Sequence, residues 1–370
     1  MPLIILGGIL LLLILLQGYG YKALWDRGLG YDAHFSAKEA FEGDRLFLRE
    51  EVTNRKFVPL PWVFVKHRLS EHIVFVDADG HPVGEHAANS LYAIMSYTAI
   101  RRRKPFICRK RGVYNLRSAN LVVSNLLHTT EFNKDFYLQS ELLVFPKLLD
   151  DCEQLEILYR QLDMAALSNR LINPDPFEFR GLREYQPTDP LRNVNFKATA
   201  VAQRLMVNIH APTAAQRLVL ALNLEDMHAP AALHEECIRL AATLAEHYIS
   251  QDAGVGFYTN GRYLMGEYLG ETGGDKSTFL PVSSSPSQLY DIYQCLACVN
   301  LGVICTPLAD YINRLVDKEQ VYVFVSSYHG TDLLEAFNAL GERGIEAFLI
   351  VPVQADISLL ETDKIAIWRV

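Results

Sequence analysis

Arg183, Tyr185, Asp189, Arg192, Asn195 and Lys197 form the densest group of chemically capable side chains in this chain, all within the run Gly181–Ala200. Cations, a carboxylate, a phenol and an amide in such close register predict an ordered polar network. Asp189 followed by Pro190 reads as a helix N-cap and first helical residue, and Arg192 lies one turn on, placed to pair with Asp189. Two roles fit the group. It could clamp a connecting segment onto the next domain, since charges taken from water must be paired, or it could be offered to a partner.

The other reactive residue types do not assemble into a catalytic set. Gly270-Glu-Thr-Gly-Gly-Asp-Lys-Ser277 is a near miss to a phosphate-binding loop. Asp275 stands where a glycine should precede the lysine, and Phe279-Leu280-Pro281 follows where a helix should begin. Cys295-Leu-Ala-Cys298 has metal or redox spacing, but it has no second pair and sits in an apolar helical pattern, which favours core thiols. His234-Glu235 lacks the second histidine of a zinc protease, and no Gly-x-Ser-x-Gly elbow occurs. The expectation is a non-enzymatic protein without a cofactor.

A chain of 370 residues exceeds what one core usually serves, so two folded domains are expected to carry these residues. A net charge of −8 argues against a nucleic-acid binder. Six scattered cysteines without a disulfide spacing fit a reducing compartment. Residues 1–21 carry no charge and are dominated by leucine and isoleucine; Tyr19, Tyr21 and Trp25 follow as an interfacial aromatic belt would. With Lys22, Arg27 and Lys38 after the run, it predicts a single transmembrane anchor at the cell membrane, the domains that follow being cytoplasmic.

Residues 33–148 read as short strands separated by turns, a β-sandwich-like domain. Within it Arg101–Lys104 and Arg109–Arg111 form a basic cluster, read as a solvated hairpin face or as a loop for anionic headgroups. Residues 149–200 read as a polar connector that carries the motif. From 201 to 370 strand and helix patterns alternate, predicting a mostly parallel α/β sheet covered on both faces.

The pattern Arg183-x-Tyr185-x-Pro187-x-Asp189-x-x-Arg192 … Lys197-x-Thr199-Ala200 resembles the signature of the bacterial membrane protein family called domain of unknown function 58. Arg111-Gly-Val-Tyr114 and Val144-Phe-Pro-Lys147 are similar to that family's middle domain. Thr188 and Phe196 depart from its usual glycine and tryptophan. The resemblance implies a von Willebrand factor type A-like fold for residues 201–370. It also implies a protein-protein interaction or assembly role with a MoxR-type AAA+ ATPase as partner. In such folds an Asp-x-Ser-x-Ser loop after the first strand often holds a divalent metal. Here the loop is Asn223-Leu-Glu225-Asp226-Met227, so Asn223, Glu225 and Asp226 make a degenerate candidate set. An enzyme of hydrolase class using a metal there is the alternative function.

Overall fold

The computed structural model describes Tyr19 and residues 21–77, 79–84, 89–125, 128–172, 174–187, 189, 191–212, 217–226, 229–263, 278–353 and 364–370. The chain divides into two compact units between Lys147 and Leu148.

Among the described residues the first unit contains nine strands: β1 Leu29–Phe35, β2 Glu39–Phe41, β3 Arg45–Asn54, β4 Leu60–His67, β5 Ile73–Phe75, β6 Ser90–Ile94, β7 Thr98–Cys108, β8 Gly112–Ser124 and β9 Glu131–Phe145. They form one sheet in the order β1-β3-β7-β5 and a second in the order β2-β9-β8-β4-β6. Side chains alternate between faces along a strand, so β1 buries Leu29, Tyr31, Ala33 and Phe35 and exposes Asp32 and His34. Leu48, Val52, Val63, Val65, Phe106, Leu116, Leu121 and Leu142 belong to the same apolar core.

Two expectations are revised in this unit. The basic cluster is divided: Arg101–Lys104 lie on β7, whose pleat separates their charges, so Arg101 pairs with Glu51 of β3 at 2.9 Å, Arg102 lies 4.5 Å from the Tyr92 ring and Lys104 reaches Glu50 at 3.5 Å, while Arg109–Arg111 form the connection from β7 to β8. The expected fold class, with its N-terminal transmembrane helix, and the single-pass localisation are also overturned. Among the described residues no helix is long and apolar enough to cross a membrane. The run 1–18 lies outside the described residues, but the described end of the expected anchor does not sit as an interfacial belt. Tyr21 is buried in the core of the β unit and its hydroxyl donates to the Pro59 carbonyl at 2.6 Å. Trp25 stacks on Phe132 with ring centroids 5.2 Å apart. These aromatics are consumed by protein packing, which amphipathic rings satisfy as well as an interface does.

In the second unit the expected connector is largely regular structure. Helix α1, Glu153–Ile172, buries Leu155, Leu158 and Leu162. Its Tyr159 stacks on His247 at 3.6 Å. Strand β10, Pro174–Glu184, leads into a 3-10 turn at Leu191–Asn193 and helix α2, Phe196–Ala202, and the chain returns as β11, Met206–Pro212, antiparallel to β10.

The remainder contains β12 Arg217–Asn223, α3 Ala231–Ser250, β13 Gly254–Thr259, β14 Gly261–Tyr263, β15 Thr278–Ser283, α4 Pro286–Cys298, β16 Val299–Ile304, α5 Leu308–Arg314, β17 Val321–Ser326, α6 Thr331–Glu342, β18 Ala347–Val353 and β19 Ile365–Arg369. Its main sheet has the order β15-β13-β12-β17-β18-β19, with β15 antiparallel and the other pairings parallel. Every residue of β13, β17 and β18 is buried, as strands covered on both faces require. Cys295 and Cys298 are buried in α4, and burial pushes the Cys295 thiol up to about 12.

Candidate functional site

The strand order reverses between β12 and β17, and the crevice outside their carboxyl ends is where open α/β sheets bind ligands. A neutral cluster fills that position. Asn223, fully buried at the end of β12, donates from Nδ2 to Ser326 Oγ at 2.9 Å, and its Oδ1 accepts from Asn260 Nδ2 at 2.7 Å and from the Glu225 N–H at 3.1 Å. Asn260 Oδ1 accepts the Leu224 N–H at 2.9 Å, and Ser326 Oγ donates to the Tyr328 carbonyl at 2.7 Å. Each amide is satisfied by protein, as buried polar groups must be.

Among the described residues no group of three or more histidines, cysteines, aspartates or glutamates is placed to hold a metal ion, and the candidates Asn223, Glu225 and Asp226 each accept hydrogen bonds from protein donors. The Asn223 oxygen is already shared by two donors. Glu225 accepts the N–H of Leu308 at 3.2 Å, and burial raises its carboxyl towards the neutral form. Asp226 Oδ1 closes a local turn with the Ala229 N–H at 3.1 Å. A hard dication wants several charged oxygens free to face one point, and the oxygens of these three already accept protein N–H groups. Met227 and His228 lie outside the described residues, as does Gly270–Ser277. His234 donates from Nε2 to the Asp226 carbonyl at 2.7 Å, so it ties α3 to this loop.

The motif forms a second site, and here the structure changes the pairing. Asp189 is held by Arg183, not by Arg192: two guanidinium nitrogens meet its two oxygens at 2.7 and 2.6 Å. The Gln186 N–H adds a third donor at 2.8 Å. The Arg183 hydrogen bond keeps the Asp189 carboxyl below its usual range. Arg192 lies exposed on the 3-10 turn and takes no part. The reason is topological: β10 carries Arg183 beside the returning loop, and a planar guanidinium matches a carboxylate fork. Thr188 and Pro190, half of the expected cap, lie outside the described residues.

Asn195 is the cap that does form. It opens α2 by accepting the Ala198 N–H at 3.0 Å, and its Nδ2 donates to Asn208 Oδ1 on β11 at 2.8 Å. Thr199 Oγ1 accepts the Met206 N–H at 3.0 Å, and the Tyr185 N–H donates to the Leu205 carbonyl at 2.8 Å. Lys197 is exposed. The motif thus stitches a loop onto its own ribbon, while its large apolar side chains stay in solvent. Leu182, Leu191, Phe196, Val201 and Leu205 are exposed, Leu191 at 71%, Phe196 at 79% and Val201 at 83%. Helix α2 buries no residue.

Sequence reasoning did not include Asn260 and Ser326 in the switch-point cluster. Both sit at the carboxyl ends of buried apolar strands beside β12, and a polar residue closing such a strand is the available signal. Sequence reasoning also missed the buried charge cluster of the first unit. Glu50, 1% exposed, accepts from His67 Nε2 at 2.6 Å, from Ser90 Oγ at 2.7 Å and from the Tyr92 hydroxyl.

No family model matches the chain, and no curated protein does. Among solved structures, it is similar to the CARDB domain of the PF1109 protein from Pyrococcus furiosus, with TM-score 0.21 and 11% identity over 32% of this chain and 96% of that one. It is also similar to the C-terminal domain of wzt, with TM-score 0.22 and 13% identity over 34% of this chain and 77% of that one. A third likeness is to a non-cellulosomal cohesin from Archaeoglobus fulgidus, with TM-score 0.20 and 8% identity over 35% of this chain and 96% of that one. Likenesses this partial carry no argument about function.

Proposed function

We propose that this chain is a protein-protein interaction and assembly factor, that the β10–β11 ribbon with its capped loop is its docking element, and that a MoxR-type AAA+ ATPase is its working partner. The observation that supports docking is the exposure of Leu191, Phe196 and Val201 on a loop whose polar groups are satisfied internally. Apolar groups left in water gain when a second surface covers them, and clustered exposure of this kind marks interaction sites. A loop merely fastening two elements would turn such side chains inward. The ATPase as partner follows from the resemblance carried by Arg183, Tyr185, Asp189, Arg192 and Lys197. In this reading the neutral Asn223–Asn260–Ser326 cluster stiffens the crevice of the α/β sheet and has no catalytic role.

The test is capture of a purified MoxR-type ATPase on the immobilised chain, with nucleotide present. Wild type is expected to retain it, and Leu191→Asp with Phe196→Asp to lose it while melting normally. Equal retention by the wild type and the double variant would remove the ribbon from the role. Repeated failure of the wild type would remove the partner.

A further inference from the structure

The stretch from Leu182 to Leu205, at one end of the ribbon, has a charge character opposite to that of the whole chain. From Leu182 to Leu205 the cations are Arg183, Arg192, Lys197 and Arg204, and the acids are Glu184 and Asp189. Both acids are already matched within the ribbon, Asp189 by Arg183 at 2.6 Å and Glu184 by Arg204 at 3.3 Å. Arg192 and Lys197 remain, both exposed, beside the exposed Leu191 and Phe196. In a chain of net charge −8 this surface is locally positive.

We infer that the occupant of this surface is an acidic segment of a protein, with leucine or phenylalanine side chains that cover Leu191, Phe196 and Val201 and carboxylates that meet Arg192 and Lys197. The inference rests on the protein-partner reading above and adds the chemistry of the partner. Two features favour an acidic polypeptide over a nucleic acid. Beside Phe179 and Phe196, four of the exposed apolar side chains are aliphatic, Leu182, Leu191, Val201 and Leu205, whereas single strands are gripped by successive stacking on aromatic rings. The cations near it are also few, whereas phosphate backbones are held by many. Rim charges of this kind act chiefly on the association rate and on its salt dependence, while the apolar centre sets how long the complex lasts. The two contributions are therefore separable by experiment.

The experiment uses the full chain and a MoxR-type ATPase, with binding followed by surface capture at low and at high salt. Wild-type binding is expected to weaken as salt rises. Arg192→Glu with Lys197→Glu is expected to lower affinity about tenfold or more at low salt, mainly through slower association, and to flatten the salt dependence. Leu191→Ser with Phe196→Ser is expected to raise the dissociation rate and leave the salt slope in place. All four positions are exposed, so each variant should melt as wild type does. Charge-reversed protein that binds as wild type does at low salt, while the apolar variant loses binding, overturns the acidic occupant and leaves the docking reading standing. Displacement of the ATPase by single-stranded nucleic acid overturns it in favour of that ligand. Failure of the wild type to bind under any salt condition overturns both readings.

Discussion

A carboxylate meets cationic or hydrogen-bonding partners both in the first unit and in the ribbon of the second, and the two settings assign it opposite roles. Glu50 lies between two sheets. Tyr31, Glu50 and Lys104 come from one sheet and His67, Ser90 and Tyr92 from the other, and the Tyr31 hydroxyl lies 2.9 Å from His67 Nε2. Burial alone would raise the Glu50 carboxyl. The hydrogen bond from His67, the charge of Lys104 and the hydroxyl of Tyr92 overcome this and hold it at about 2 instead of 4.5. On the Lys104 side burial wins and lowers the ammonium. The cohesion of the cluster thus lies in the hydrogen bonds to Glu50 more than in the ion pair. Asp189 has a bidentate arginine and a backbone donor, and it is half-buried beside an exposed Arg183. Water still reaches the Arg183 guanidinium, so the pair fixes a loop geometry and contributes less to stability than a fully buried contact. A short contact does not reveal whether it holds a fold or shapes a surface; its surroundings do.

The largest effect that would sharpen this contrast is expected at Glu50. Glu50→Ala removes the buried carboxylate that His67, Ser90, Tyr92 and Lys104 share and should cost about 3 kcal/mol or more, because breaking a buried charged contact strands its partners. Chemical unfolding monitored by the tryptophans of the first unit, Trp25 and Trp62, reads it; a loss no larger than that of an average surface substitution would contradict the cluster's role.

The same carboxylate predicts a pH dependence. Its folded pKa, about 2, lies below its unfolded value of 4.5. The unfolded chain therefore binds the proton first on acidification, and the stabilisation, complete above about pH 4.5, is lost as pH falls towards 2. Unfolding free energy measured across that interval should fall less steeply in Glu50→Gln than in wild type.

A somewhat smaller effect is expected in the α/β sheet. Asn223→Ala removes partners from Ser326, Asn260 and the Glu225 N–H in a buried site and should cost about 2 kcal/mol, the usual penalty for stranded but neutral groups. Chelator treatment should not move the melting of the wild type, since Asn223, Glu225 and Asp226 are occupied with other bonds. A chelator-dependent shift that disappears in Glu225→Ala would restore the metal reading.

The smallest effect is expected at the Arg183–Asp189 pair, whose arginine is solvent-exposed. Arg183→Ala and Asp189→Ala should leave thermal melting nearly unchanged, while Arg192→Ala should do nothing to Asp189. A double-mutant cycle of Arg183 with Asp189 should show coupling, and one of Arg192 with Asp189 should show none. Coupling in the second cycle would contradict the pairing seen here.

Much of the strand pattern was legible because period-two alternation is a local property. Leu29–Phe35, cut by the expected domain start at 33, Glu39–Phe41 and Thr98–Cys108 were not; Glu39–Phe41 is three residues long, and in Thr98–Cys108 four consecutive cations hide the alternation that sends Lys104 inward and Arg103 outward. Helix α1 was read as connector, since its apolar positions are diluted by polar ones and only packing on α3 selects its buried side. In the motif, the residue types and the presence of a capped turn were readable, but the identity of the cap was not. Asn195 took the role expected of Asp189 because β11 returns beside it and offers Asn208.

The sequence by itself determined which segments are apolar, where strand and helix periods alternate, and that residues 183–197 hold an unusual density of polar groups. Those features depend on neighbours within a few positions. Only the tertiary structure decided that Asp189 takes Arg183, that Asn223 meets Asn260 and Ser326, that Glu50 meets His67 across two sheets, and that Tyr21 enters a protein core. Each of those pairs joins elements through topology, and for contacts between separated segments the choice among many chemically equivalent partners is made by which strands lie side by side.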